Sequence, residues 1–156
     1  MTSPHSTSTP TSDPLSYAPD VDLAKLSDRV AAHLGDARRA YILAHFAAGD
    51  AVHLIRYAPD RASTIDRLAE RLLVDRSGLM RIARTAERIV TTEREALLAL
   101  VDDRGWPLTW SHLSALACLS SRSARTRVAH AAVEGRLSVK DLRGLIAKEM
   151  VSKSSG

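Results

Sequence analysis

The sequence predicts an all-α protein. Apolar residues recur at the three-to-four-residue spacing of a helix from Val21 onward. No segment alternates with the period of two that a half-buried strand needs. Punctuation is sparse, with seven glycines and six prolines in 156 residues, and only six residues are aromatic, which disfavours collagen-like repeats and most β-sandwiches. A chain of this length can bury a core unaided. Four of the prolines fall in the first twenty residues, which hold 13 Ser, Thr or Pro in all. That composition carries too little apolar area to offset the entropy of ordering a backbone, so 1–20 is expected to be a disordered tail ahead of a helical domain over 21–150.

A helical hairpin is expected over 21–57. Leu23, Leu26, Val30 and Leu34 form the stripe of its first helix, Gly35 and Asp36 read as a stop followed by an N-cap, and the second helix runs through Tyr41, Ala44 and Ala48 toward Pro59. Gly49 reads as either a weak point or a close-packing site. Ser63 or Thr64 is then expected to cap a helix whose inward face is Ile65, Leu68, Ala69 and Leu72. After a short turn at Leu73-Val74-Asp75, another helix carries Leu79, Ile82, Ala83 and Ala86. The C-terminal helices, over 93–150, begin with one at Glu93 to Val101, followed by a turn at 102–107. Thr109 caps the next helix, Ser123 opens another that Gly135 closes, and Ser138 with Asp141 starts the last in a capping-box-like pattern. Seven or eight helices result. Trp106 and Trp110 are read as anchors of the turn between helices, the alternative being an aromatic partner site. The single Cys118 can form no intrachain disulfide and reads as a buried helical thiol, which suits a reducing cytoplasm.

Charge is segregated along the chain. The formal net charge is +4, and 18 of the 22 basic residues are Arg, the better fork for phosphates and base edges. Residues 120–156 hold eight basic and three acidic residues, whereas 91–119 hold two basic and four acidic. Residues 63–88 look like a helix-turn-helix: Ala69 is small where the second helix crosses, and Val74 and Leu79 are apolar in and beyond the turn. Leu73 stands where such turns commonly place Gly, which predicts a wider turn. If the unit binds DNA, the helix at 76–88 enters the major groove, and Arg76, Ser77, Gly78, Met80, Arg81 and Arg84 can reach base edges. Arg61, Ser63 and Thr64 suit a phosphate at the first helix's start. Arg122, Arg125 and Arg127, then Arg136, Lys140 and Arg143, are expected to follow the phosphate backbone from the basic C-terminal block.

A resemblance joins these pieces over Ser63 to about Ile146. The order of a helix-turn-helix, Leu108-Thr109-Trp110-Ser111-His112-Leu113, and Gly135-Arg136-Leu137-Ser138-Val139-Lys140-Asp141-Leu142 resembles the central DNA-binding domain of ParB and KorB type partition proteins. It is also similar to the helical N-terminal domain of YhcG-like PD-(D/E)XK nucleases. The ParB resemblance implies an Arg two residues after His112, where Ser114 stands, and an Arg-rich nucleotide-binding motif, whereas 1–20 contains no Arg. No CTP switch is therefore implied. The helices at 21–57 suit the YhcG-like arrangement better, and few residues follow the last helix, so a stand-alone relative of that module without the nuclease half is expected.

No Walker loop, G-x-G-x-x-G, G-x-S-x-G, His-Glu-x-x-His or Cys-x-x-Cys occurs, so neither an enzyme nor a cofactor or metal is expected. His45 and His53 lie two helical turns apart but read as ordinary helix-surface histidines. No apolar run spans a membrane. The leading expectation is a cytoplasmic, nucleoid-associated, non-enzymatic reader of double-stranded DNA, a transcriptional regulator or partition-like accessory factor, with a homodimer built through 21–57. Rival readings are a helical adaptor for a protein partner and the DNA-recognition subunit of a separately encoded nuclease.

Overall fold

Residues 22–154 are described by the computed structural model, so the expected N-terminal tail lies outside the described residues. Seven helices follow one another: α1 (Leu23–Ile55), α2 (Arg61–Arg71), α3 (Arg76–Arg88), α4 (Thr91–Ala99), α5 (Trp110–Leu116), α6 (Arg122–Glu134) and α7 (Val139–Ser154). No strand occurs among the described residues, only an isolated bridge between Val101 and Pro107 that closes the 102–107 loop. The all-α expectation holds.

The expected hairpin over 21–57 is instead one 33-residue helix. Gly35 and Asp36 do not break it, because Gly35 is where another part of the chain comes close. A Cβ there would meet Gly105 O and Trp106 Cδ1 at 3.2 Å each. The Trp106 indole lies across this site and donates from Nε1 to Ala31 O at 2.7 Å. Its ring takes the guanidinium groups of Arg38 and Arg104 at 4.8 and 4.1 Å from the ring centroid. Trp106 is thus an anchor of the loop. Gly49 is a close-packing site: a Cβ there would lie 2.5 Å from the Ala86 Cβ, so its absence lets α1 and α3 lie against each other.

The C-terminal half of α1 is the spine of two apolar clusters. Ile42 and Phe46 enter the larger, built with Leu97, Leu113, Leu116, Val128, Leu142 and Ile146 from the C-terminal helices. Val52 enters the smaller, with Ile65 and Ala69 of α2 and Leu79 and Ala83 of α3. Arg94, on α4, locks the spine to the end of α3. Its guanidinium donates to both carboxylate oxygens of Asp50 at 2.7 and 2.8 Å and to Ala86 O, its Nε donates to Ile89 O, and it covers the Phe46 ring.

Several helix starts differ from expectation. Asp60, not Ser63 or Thr64, is the N-cap of α2, and Ser63 Oγ donates to Asp60 O. Ser121, not Ser123, caps α6 by accepting from Ala124 N. Thr109 caps α5 as expected, and His112 closes a capping box. The His112 ring is held on both sides, with Nδ1 accepting from Thr109 N and Nε2 donating to Leu137 O at 2.8 Å. Ser138 accepts from Asp141 N at the start of α7. Cys118 falls beyond the end of α5 and is exposed rather than buried, because α5 stops at Leu116.

Candidate nucleic-acid interface

One face of α3 is buried against α1 and α2 through Leu79, Ala83 and Ala86. The opposite stripe, at spacings of four, three and four residues, is Ser77, Arg81, Arg84 and Arg88, all exposed. Asp75 starts this helix by accepting from Gly78 N at 2.8 Å. A Cβ on residue 78 would sit 2.5 Å from the Asp75 carboxylate oxygen, so Gly78 serves the cap. The preceding turn spans 72–75. Leu73 N donates to Glu70 O and Val74 N to Ala69 O, a Schellman arrangement with Leu73 at φ 54°. The expected wider turn is therefore replaced by a standard one in which Leu73 itself adopts the left-handed conformation.

Next to the stripe lies α5. Thr85 Oγ1 is buried 3.2 Å from Arg81 O and 3.3 Å from Ser114 Oγ, and Arg88 donates to Ala117 O at 3.2 Å. Between α3, α5 and α7 opens a cleft of about 720 Å³ whose walls include Arg81, Arg84, Arg88, Arg143, His45, Ser111 and Ser114, with no carboxylate. Arg81, Arg84 and Arg143 form no ion pair among the described residues. Four arginines lining one cleft whose walls hold no carboxylate favour an extended polyanion there.

The other expected site residues divide into three groups. Arg61 and Ser63 line a shallow hollow of about 530 Å³ with Arg76, which donates to Asp66 at 2.6 Å; Thr64 is half-buried beside them. Met80 is half-buried against the smaller apolar cluster, outside the stripe. In the C-terminal block, Arg127 is exposed but paired with Glu149, and Lys140 is exposed on the first turn of α7. Arg125 is a correction: only 6% exposed, it donates from Nε and Nη2 to the two carboxylate oxygens of Glu93 at 2.6 and 2.8 Å, and from Nη1 to Leu119 O. This carboxylate raises the affinity of Arg125 for its proton, outweighing its burial. With three of its donors bonded inside the protein and only 6% of its surface exposed, it is not placed to meet a phosphate.

Arg88, Ser111 and Ser114 join the cleft without having been in the expected site, and Arg143 is the candidate of the C-terminal block that reaches it. Arg88 was legible as the continuation of the Arg81 and Arg84 stripe. That Arg143 stands beside the α3 stripe was not, because only the packing of α7 on α5 brings it there. No family model, curated protein or solved structure matches this chain. No helix of the described residues is long and apolar enough to cross a membrane.

Proposed function

We propose that this protein is a non-enzymatic binder of double-stranded DNA, in which α2 and α3 act as a helix-turn-helix and α3 presents Ser77, Arg81 and Arg84 to the major groove. The observation that carries this reading is the acid-free cleft beside α3, with its four arginines. Phosphates of the strand flanking the groove would seat against Arg88 and Arg143, with Ser111 and Ser114 as neutral donors. The resemblance to ParB-type and YhcG-like helical modules supports the same reading through the order of its motifs. A regulatory or accessory role at the nucleoid is the corresponding setting. The exposed apolar face of α1 adds a second copy of the chain as partner.

The test is fluorescence anisotropy on a mixed-sequence duplex at several salt concentrations. Binding is expected to weaken with salt, with a log–log slope of about −2 from phosphate contacts by Arg88 and Arg143 at roughly −0.9 per contact. Arg81→Ala with Arg84→Ala should remove sequence preference while circular dichroism stays unchanged, since both side chains are exposed. Absence of binding at low salt overturns the reading.

A further inference from the structure

The cleft between α3, α5 and α7 has a depth that a duplex laid across its mouth leaves empty. Its volume of about 720 Å³ is that of a small-molecule site. Thr85 Oγ1 lies 3.3 Å from Ser114 Oγ, and Arg88 donates to Ala117 O, so α3 and α5 touch along its floor. These contacts also set a register. Residue 85 is level with 114 and, three positions on, 88 with 117, so the two helices run in the same direction and Arg81 comes level with Trp110. The wall from Trp110 to Ala117 is about 10 Å long. Its two ends differ in chemistry. At the Arg81 end, the half-buried Trp110 and His45 form an aromatic wall with ring centroids 4.8 Å apart, and Phe46 braces the indole edge-on at 5.1 Å. Tyr41 packs on His45 at 4.1 Å, and His45 Nδ1 donates to Tyr41 O at 2.9 Å, so both cleft rings are held in place before any ligand arrives. Toward the other end lie Arg84 and Arg88, with Arg143 entering from α7.

Rings at one end and guanidinium groups at the other select a ligand that carries both complements. An inorganic anion leaves the aromatic end unfilled, and an uncharged ring leaves the arginines unpaired. A nucleotide joins the two, with a planar base that stacks on aromatic rings and phosphates that fit the guanidinium fork. The cleft walls hold no carboxylate to bind a metal ion, so the arginines themselves neutralise the phosphates.

We infer that the cleft takes a free nucleoside phosphate, its base at the Trp110 and His45 end and its phosphates on Arg88 and Arg143, and that this nucleotide displaces DNA. The displacement rests on the DNA reading, in which the same two arginines meet the flanking strand; the nucleotide site itself does not. ADP titrated into the full chain at low salt without magnesium, followed by calorimetry and tryptophan emission, tests both. ADP is expected to bind at least about ten-fold more tightly than pyrophosphate or adenosine, since each of those fills one end only. Arg88→Ala with Arg143→Ala should weaken ADP by about ten-fold or more with circular dichroism unchanged, both side chains being exposed. Quenching should vanish in Trp110→Phe, and ADP should release a labelled duplex. No ADP binding at millimolar concentration, pyrophosphate binding as tightly as ADP, or quenching that persists in Trp110→Phe overturns the nucleotide site, and a duplex bound in the same buffer then leaves the DNA reading standing. ADP bound beside an undisplaced duplex overturns the displacement. ADP binding without any duplex binding overturns the DNA reading and the displacement together and supports the site alone. A short single-stranded oligonucleotide that binds more tightly than ADP, and is lost with Arg88→Ala and Arg143→Ala, overturns the free nucleotide in favour of an unpaired one within a strand.

Discussion

Arg125 and Arg127 stand two residues apart on α6 and do opposite things. Residues 125, 128, 129 and 132 lie on one helical face, and Val128, Ala129 and Ala132 are core residues, so Arg125 occupies an inward position. That spacing was readable in the sequence; its partner was not, because Glu93 stands 32 residues earlier on α4. Removing Arg125 leaves a 1%-exposed carboxylate without its counter-charge. Arg125→Ala is therefore expected to lower stability by about 3–5 kcal/mol. Arg127→Ala, at a surface pair, should cost about 1 kcal/mol or less. Urea-unfolding midpoints check both, and equal small losses would contradict the buried pair. By the same contrast, lost DNA binding in Arg125→Ala would report unfolding rather than a phosphate contact.

At the scale of elements, the two-helix unit of α2 and α3 was legible from Ala69, Val74 and Leu79, and α3 starts where Asp75 predicts. The turn obeys geometry before residue preference. A Schellman end needs a left-handed residue, and the chain uses Leu73 at φ 54° with its side chain 93% exposed. An L side chain in that conformation costs about 1–2 kcal/mol and here recovers little by burial. Leu73→Gly is expected to raise stability by about 1 kcal/mol, less the extra entropy of an unfolded glycine. A higher thermal midpoint with unchanged helicity checks it, and a lower one would mean the Leu73 side chain has an unrecognised contact. The end of α6 repeats the pattern: Gly135 keeps a right-handed conformation and Arg136 takes φ 46°, so the glycine that marks the helix end is not the residue that turns it.

Across the whole molecule, two carboxylates hold arginines: Asp50 ties α4 to α1, and Asp102 closes the Trp106 loop on itself. Hydrogen bonds from Arg94 hold Asp50 below the ordinary carboxylate range, against the effect of partial burial. Burial pushes Asp102 up, but hydrogen bonds from the Arg104 side chain and from the Trp106 and Arg104 amides together bring it below that range. A depressed folded-state value means that stabilisation is fully present above the unfolded value, near 3.8, and is lost as pH falls through the folded one. The urea midpoint is thus expected to be insensitive to these groups between pH 7 and 5 and to drop toward pH 3. Asp50→Asn and Asp102→Asn should each shrink that drop. Local spacing by itself determined that the chain is helical, where most helices lie, and which residues of α3 face outward, because these depend on neighbours within one or two turns. Only the tertiary structure decided that Gly35 admits Trp106 instead of ending a helix, that Arg125 pairs with Glu93, and that Arg143 lies across a cleft from Arg81 and Arg84. Each of those outcomes depends on a contact between residues tens of positions apart, 75 for Ala31 and Trp106, which no local pattern encodes.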